Sequence, residues 1–233
     1  MKSLFSRSVQ GLIGILVLTC IATHSGAQDL PPKGKGPYRQ SELVELTKLD
    51  PSIKLDVRYA TANNFVGKPV YPEARAFLQK PAAMALISAH RWLKTQGYGI
   101  LVHDAYRPWA ITKVFWDITP DDKKIFVADP AVGSKHNRGC AVDISLYELS
   151  TGKAVEMPGD YDEMSERSFV TYTGGTPQQR KLRDLLRKAM EREGEFFVYP
   201  EEWWHYDFKD SKHYAVQNIP FSAIRPPHQG KAK

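Results

Sequence analysis

Short segments in which apolar and polar residues alternate recur along this chain, without a regular alternation of strands and helices. Residues 53–59 (IKLDVRY) and 140–149 (CAVDISLYEL) show this pattern, which is typical of half-buried β-strands. Helical spacing of apolar residues is found at 81–96 and 178–193, each followed by a glycine. Successive parallel strands need helical crossovers between them, and this chain lacks the regular strand–helix alternation that such crossovers produce. The chain is therefore predicted to have an α+β fold, with a mostly antiparallel central sheet flanked by helices.

Shorter segments add to this arrangement. Three of them predict strands, at 98–103, 196–199 and 204–208, and residues 109–118 predict a short helix. The turn signal at 150–153 (STGK) follows the strand at 140–149 directly, which predicts a hairpin there.

The composition is that of a globular protein with a sizeable hydrophobic core: 42% of the 233 residues are hydrophobic and 25% are charged. The formal net charge is +6, but the 32 basic residues are spread along the chain and form no dense block with interleaved aromatic residues. We therefore expect no nucleic-acid partner. The two cysteines exclude a disulfide-rich scaffold and a zinc site built from cysteines.

Residues 1–27 have the pattern of a secretory signal peptide. Lys2 and Arg7 precede an apolar run at 11–22, and small residues follow as far as Ala27. The twelve residues of this run are fewer than the roughly 20 that a transmembrane helix needs, which disfavours a membrane anchor. We expect cleavage after Ala27, export to the periplasm and no stable membrane association afterwards.

Cys20 raises the alternative of a lipid-anchored protein. Thr19 precedes it at a position where a lipid-attachment signal normally has Gly, Ala or Ser. The lipoprotein is therefore the less favoured form of the exported protein.

The remaining chain divides by composition into three parts. Residues 28–38 are rich in Pro, Gly and Lys and predict a flexible leader. Residues 39–218 form the single folded domain, and the Pro- and Gly-containing segment 219–233 predicts a loosely ordered tail.

Metal-ligating residue types concentrate in two segments. Residues 134–143 (SKHNRGCAVD) contain His136 and Asp143, and residues 201–207 (EEWWHYD) contain His205. Two imidazoles and one carboxylate suit a divalent ion, and zinc with three protein ligands keeps a fourth position for water. This is the ligand number of a catalytic zinc site rather than a structural one.

The spacing of His136 and Asp143 requires a break in the strand between them. Residues seven apart on an uninterrupted strand point to opposite faces of the sheet. Gly139 lies between them and permits a bend or bulge, after which both side chains converge.

Glu202 is the candidate general base. It precedes His205 by three residues, so on one strand the two side chains would face opposite ways. We therefore place Glu202 in the turn at 200–202, from which its carboxylate faces a metal-bound water. The other histidines considered, His90, His213 and His228, are interpreted as structural.

A third segment, 103–108 (HDAYRP), follows a predicted strand. Pro108 favours an extended conformation at Arg107, whose guanidinium is then able to enter a cleft and stabilise an oxyanion. Asp104 is a candidate partner that orients Arg107, and a surface or Asp-paired arginine is the structural alternative.

Taken together, these segments resemble the D-alanyl-D-alanine dipeptidases, which belong to a superfamily with zinc DD-carboxypeptidases and hedgehog signalling domains. The superfamily motifs YRP, S-x-H-x(6)-D and E-x-W-H are found at 106–108, 134–143 and 202–205. Two further segments resemble the dipeptidase branch specifically, 58–65 (RYATANNF) and 162–168 (DEMSERS). The resemblance extends over residues 40 to 210 and implies a DD-peptidase/hedgehog-like fold.

The resemblance also implies roles for nine residues. It implies one zinc ion per chain, bound by His136, Asp143 and His205. Glu202 corresponds to the catalytic base and proton shuttle, and Arg107 to the group that stabilises the tetrahedral intermediate. Four residues correspond to the substrate pocket: Asp162, which meets the substrate ammonium group, and Tyr59, Phe65 and Ser134.

The function that this resemblance implies is zinc-dependent hydrolysis of D-alanyl-D-alanine, with a small dipeptide as the partner and no prediction of oligomeric state. One alternative is a zinc DD-carboxypeptidase that trims peptidoglycan stem peptides and needs an open cleft. A second is a non-catalytic zinc-containing binding domain, which the presence of both Glu202 and Arg107 disfavours.

Overall fold

A five-stranded sheet organises residues 30–225, the part of the chain that this computed structural model describes. The elements in chain order are β1 (Leu43–Glu45), α1 (Leu46–Leu49), β2 (Lys54–Leu55), β3 (Phe77–Gln79), α2 (Lys80–Thr95), β4 (Tyr98–Asp104), α3 (Trp109–Ile118), β5 (Ala141–Glu148), α4 (Pro177–Arg192), β6 (Phe196–Tyr199) and β7 (Glu202–Phe208).

The strand order of the central sheet is β2-β4-β5-β7-β6. β2 pairs with β4 in parallel, and the other three pairings are antiparallel. β1 and β3 form a separate two-stranded antiparallel ribbon. The prediction of an α+β fold with a mostly antiparallel central sheet is confirmed.

The two long helices pack on this sheet and on each other. In α2, Pro81 occupies the first turn, where its missing N–H costs nothing, and Gly97 follows the helix end with φ +89°. α4 begins with a capping box in which Thr176 and Gln179 each satisfy a backbone N–H of the other. Both helices direct an apolar face inward, including Leu86 and Leu186.

The predicted strand at 53–59 is shorter in the structure. β2 ends at Leu55, and Arg58–Ala60 form a short 3-10 helix. The cause is tertiary, because the carbonyl of Tyr59 accepts hydrogen bonds from the backbone N–H groups of Val70 and Tyr71 and holds the returning loop.

The bend predicted at Gly139 is present. His136–Arg138 form a short 3-10 helix, and Gly139 ends it in the left-handed conformation, with φ +67°. A Cβ at this position would lie 2.5 Å from Cδ2 of Leu43, so glycine is required by both conformation and space. The chain then enters β5, which carries Asp143.

β5 separates the hydrophobic core from the functional face of the sheet. Val142, Ile144 and Leu146 belong to the core cluster. Since successive residues of a strand point to opposite faces, Asp143 and Ser145 lie on the other face. The hairpin predicted after β5 is a short one, closed by the pairing of Tyr147 with Ala154.

The segment after residue 218 differs from the prediction of a loosely ordered tail as far as Ile224. Phe221 is 2% exposed and contacts the rings of Tyr71 and Phe77. The Tyr106 hydroxyl hydrogen-bonds the backbone of Ile219. Composition alone missed this packing because one buried aromatic residue is enough to anchor a Pro-containing segment.

The predicted signal peptide lies outside the described residues. Within 30–225, no helix is long and apolar enough to cross a membrane.

Candidate metal centre

Three side-chain donor atoms converge at one end of the central sheet. His136 Nε2 lies 3.1 Å from His205 Nδ1 and 3.3 Å from Asp143 Oδ1, and His205 Nδ1 lies 3.0 Å from Asp143 Oδ1. The pairing of β5 with β7 places Asp143 opposite His205, and the turn ended by Gly139 brings His136 to the same face. The structure therefore brings the three predicted metal ligands together.

Hydrogen bonds on the far side of each ring orient the two imidazoles. Nδ1 of His136 donates to the carbonyl of Ala105 at 2.6 Å, and Nε2 of His205 donates to Asp207 at 3.0 Å. In its neutral form each ring therefore turns a lone pair toward Asp143, as metal-ligating histidines do. These two lone pairs and the Asp143 oxygen repel one another at this separation unless a cation or a proton lies among them.

The geometry of this donor set fits zinc. Tetrahedral zinc with nitrogen and oxygen ligands at about 2.0–2.2 Å separates neighbouring donor atoms by roughly 3.3 Å. The distances between these donors, 3.0–3.3 Å, agree with that spacing. Two imidazoles and a carboxylate leave the fourth position for a water or a substrate atom.

Neighbouring groups shift the pKa values of two of the three ligands in opposite directions. Burial raises the pKa of Asp143, but His136 and His205 outweigh burial and hold it well below its usual range. Burial lowers the pKa of His205, but hydrogen bonds with Asp143 and Asp207 overcome that effect and raise it to about 10. The cluster is thus built to hold positive charge next to an ionised carboxylate.

Glu202 faces the same cluster from the first position of β7, directly after the turn in which the sequence placed it. Its Oε2 lies 3.7 Å from Nδ1 of His205. The pairing of β6 with β7 is irregular between Val198 and Tyr199, which is the departure from strict alternation that the sequence required of Glu202. Burial, with the neighbouring charges of Asp143 and Asp162, raises the pKa of Glu202 to about 8.

Arg107 also lies beside the metal ligands and is 7% exposed. Its Nε and Nη2 contact Asp104 Oδ2 at 2.9 and 2.8 Å. Asp104 in turn accepts hydrogen bonds on Oδ1 from the Tyr71 hydroxyl and the N–H of Ala105. The predicted pairing with Asp104 is present, and the same Nη2 lies 3.8 Å from Oδ2 of Asp143.

Asp162 occupies an unusual position in the wall of the site. It has φ +62°, its carboxylate is buried, and Oδ2 has no hydrogen-bond partner among the described residues. Burial and the Asp143 charge raise its pKa to about 7. A buried carboxylate oxygen without a partner is costly unless a ligand supplies a donor.

The nine residues predicted for the site line a single cavity of about 300 Å³, which is small for a ligand site. Tyr59 and Phe65 pack with Phe115 to form one wall. The Ser134 hydroxyl accepts the N–H of His136, so it also holds the first metal ligand. His90 is structural as predicted, bonded by Ser52 and by the N–H of Ile100.

Sequence reasoning missed several residues that support the site. Asp207 holds His205 and is itself paired with Lys135 at 3.0 Å. Its position two residues after His205 on one strand was a usable signal, because such residues share a face. Tyr161, whose hydroxyl donates to Asp143 Oδ2 at 3.1 Å, has no such signal because it lies in a loop.

An α+β domain with a His–Asp–His cluster that lines a small cavity together with a buried glutamate and arginine defines a metallopeptidase-type active site. Residues 39–224 match the family model described as D-ala-D-ala dipeptidase, peptidase family M15, and the chain belongs to this family. The resemblance inferred from the motifs is confirmed, and the protein is an enzyme.

Three curated relatives, each named D-alanyl-D-alanine dipeptidase, show the extent of the similarity. The Escherichia coli protein is 33% identical, over 80% of this chain and 95% of its own. The Enterococcus faecium and Enterococcus faecalis proteins are 36% and 37% identical, over 68% of this chain and 87% of theirs. A solved LD-carboxypeptidase structure aligns with 76% of this chain and 74% of its own at 22% identity and a TM-score of 0.41, a likeness too distant to add to the assignment.

Proposed function

We propose that this enzyme is a zinc dipeptidase that hydrolyses D-alanyl-D-alanine to two D-alanines. The observation that carries the proposal is the arrangement of one cavity, with a zinc-compatible donor set at its base, Glu202 and Arg107 beside it, and the unpartnered Asp162 in its wall. The substrate follows from the names of relatives that match this chain over most of their length.

Zn²⁺ held by His136, Asp143 and His205 would polarise the peptide carbonyl and lower the pKa of a water in its fourth position to about 7. No group other than these three residues is needed to hold the ion.

Glu202 is the general base in this proposal. Its Oε2 lies 3.7 Å from a ligand nitrogen of His205, so the carboxylate is within reach of a water beside the metal ligands and can accept its proton. After attack it passes the proton to the nitrogen of the leaving D-alanine, so one residue serves both steps. Glu201, the neighbouring glutamate, does not line the cavity.

Arg107 stabilises the negative charge that develops on the carbonyl oxygen. Asp104, which itself accepts a hydrogen bond from Tyr71, holds the guanidinium before the substrate arrives, so little reorganisation is needed as the charge develops. Burial weakens screening by water, which makes this donor more effective than an arginine on the surface.

Asp162 binds the free ammonium group of the dipeptide. An ammonium ion supplies the donor that Oδ2 lacks and the positive charge that favours the ionised carboxylate. A longer peptide places an uncharged amide at this point and leaves the carboxylate without its partner, which penalises its binding. This discrimination favours a dipeptidase over a carboxypeptidase acting on stem peptides.

The test measures D-alanine release from D-Ala-D-Ala and from a stem pentapeptide, with a chelator and after addition of zinc. We expect release from the dipeptide that the chelator abolishes and zinc restores, and little release from the pentapeptide. Preference for the pentapeptide would support the carboxypeptidase instead. A folded, zinc-loaded protein inactive on both peptides would overturn the enzymatic proposal.

We also propose that the protein is exported to the periplasm and cleaved after Ala27, on the pattern of residues 1–27. The test expresses the full chain in a Gram-negative bacterium and measures the intact mass of the protein in each cell fraction. We expect a periplasmic protein that begins at Gln28. An uncleaved protein in the cytoplasmic fraction, or a lipid-modified Cys20 in the membrane fraction, would overturn this proposal.

A further inference from the structure

His103 is a buried histidine that the mechanism does not use. It is 3% exposed and lies on β4 where the pairing with β5 is irregular, between Val102 and Asp104. It does not line the catalytic cavity. A buried imidazole with no part in binding or catalysis requires another explanation, and its neighbours supply one.

Both ring nitrogens of His103 are held. Nδ1 lies 3.3 Å from the carboxylate of Asp56 and 3.3 Å from its carbonyl oxygen, and Nε2 lies 2.8 Å from the hydroxyl of Ser145. Both oxygens that face Nδ1 are acceptors, so Nδ1 donates to Asp56, and Nε2 is bonded to the hydroxyl of Ser145. These bonds fix both the position and the plane of the imidazole.

This Ser–His–Asp order has the connectivity of a nucleophilic triad, but its location excludes that role. Ser145 is 5% exposed and does not line the cavity, so no substrate carbonyl reaches its hydroxyl. A nucleophile needs an accessible oxygen with oxyanion donors beside it. We therefore look for the role of these three residues in the side chain that packs against the imidazole.

Tyr161 lies against it. The two rings are stacked, with centroids 4.6 Å apart and planes 15° apart. The Arg58 guanidinium, 5.8 Å from the centroid of the Tyr161 ring, is also bonded to Asp56 at 3.2 Å. Asp56 thus holds two groups that contact the same tyrosine ring.

Tyr161 connects this unit to the metal ligands. Its hydroxyl donates to Oδ2 of Asp143, which leaves Oδ1 of the same carboxylate toward His136 and His205. That bond occupies Oδ2, which also lies 3.8 Å from Nη2 of Arg107, and so favours metal binding through Oδ1. The next residue in the chain is Asp162, whose backbone has the left-handed conformation. Holding the Tyr161 ring therefore also holds the chain directly before Asp162.

We propose that Asp56 and His103 form a positioning unit that holds the ring of Tyr161, and through its hydroxyl holds Asp143 in the orientation that binds metal. The effect of this unit on zinc affinity follows from the donor set of His136, Asp143 and His205 and does not depend on the identity of the substrate. Its effect on substrate binding through Asp162 rests on the function proposed above.

The test compares zinc affinity among variants of the full chain, measured by competition with a fluorescent chelator. Tyr161→Phe keeps the ring and removes the hydroxyl, and we expect zinc affinity to fall about 10- to 100-fold, as for other outer partners of metal ligands. His103→Asn keeps a donor toward Asp56 and removes the stacking surface, and we expect a smaller loss in the same direction. Cobalt(II) in place of zinc should show an altered absorption spectrum in both variants.

His90→Asn is the matched control. His90 is also a buried histidine bonded through both ring nitrogens, but its partners are Ser52 and the backbone of Ile100, away from the metal ligands. We expect its zinc affinity and cobalt spectrum to equal those of the unmodified protein. Loss of affinity in this variant equal to that of His103→Asn would overturn the proposal, because general destabilisation would then explain both.

Asp56→Asn keeps the test decisive if His103→Asn does not fold. Because 44% of the Asp56 side chain is exposed, we expect the protein to tolerate an amide at this position and to fold. We expect Asp56→Asn to bind zinc more weakly than the unmodified protein. Folded Tyr161→Phe and Asp56→Asn proteins with unchanged zinc affinity and cobalt spectra would overturn the positioning unit. Weakened zinc binding in these variants, in a protein that releases no D-alanine, would support the unit and overturn the proposed substrate.

Discussion

Nε2 of His136 and Nδ1 of His205 lie 3.1 Å apart, although the two residues come from a turn and a strand that are distant in sequence. In the neutral rings that bind a metal, neither nitrogen carries the proton, because the other nitrogen of each ring donates to an oxygen, of Ala105 in one case and Asp207 in the other. Two outer hydrogen bonds therefore orient the two rings so that their lone pairs point to one place. This relationship distinguishes a metal site from a chance pair of histidines.

The outer hydrogen bond of His205 should be measurable as zinc affinity. Asp207→Asn keeps the size of the side chain but removes the charge that holds Nε2 of His205, and we expect zinc to bind about 10- to 100-fold more weakly in a chelator competition. Asp210→Asn, which breaks an exposed pair with Arg39, is the control and should bind zinc normally. Equal affinities of the two variants would contradict this role of Asp207.

The general base should be separable from the metal. Glu202→Gln keeps the shape of the side chain but cannot accept a proton, and we expect kcat on D-Ala-D-Ala to fall at least about 10²-fold with zinc still bound. Metal content and steady-state kinetics are the two measurements. Glu201→Gln, one residue away and outside the cavity, should keep most of its activity. If the two variants were equally active, Glu202 would not be the base.

Gly139 should be more sensitive to alanine than another glycine of the same backbone conformation. Its left-handed backbone costs an alanine about 1–2 kcal/mol, and the Cβ would meet Leu43 at 2.5 Å in addition. Gly152, with φ +69°, would meet only the flexible end of Lys54. We expect Gly139→Ala to lower the urea midpoint more than Gly152→Ala does. The reverse order would show that the contact with Leu43 relaxes without cost.

His90 should make stability depend on pH. Burial lowers its pKa below the ordinary 6.5, with Lys94 adding to this effect and Asp50 opposing it. The unfolded chain then binds more protons between the two pKa values, so the contribution of neutral His90 is fully present above about pH 6.5 and is lost as pH falls below it.

The measurement is the free energy of unfolding in urea at pH 7.5 and pH 5.5, for the unmodified protein and for His90→Asn. Asparagine offers an acceptor in place of Nδ1 for the N–H of Ile100 but does not titrate in this range. We expect the unmodified protein to lose more stability on acidification than the variant. Identical losses would show that His90 does not contribute to the pH dependence.

Patterns among residues close in sequence predict much of the fold correctly. The turn requirement at Gly139, the Pro81 start of α2 and the strand at Phe196–Tyr199 all depend on residues close in sequence, and each is where the pattern predicts it. Residues 219–224 are packed where the composition predicts a loose tail, because Phe221 contacts Tyr71 and Phe77, which are far away along the chain.

The sequence by itself determined which residue types are available for chemistry and the turn that frees His136 from strand alternation. Tertiary structure alone decided which oxygens and nitrogens face one another. The contacts of Tyr161 with Asp143 and His103 depend on strand register and on the irregularity beside His103, and a slip of one residue would turn every side chain of a strand to the other face. Register is set by the packing of the whole sheet, which no single segment encodes.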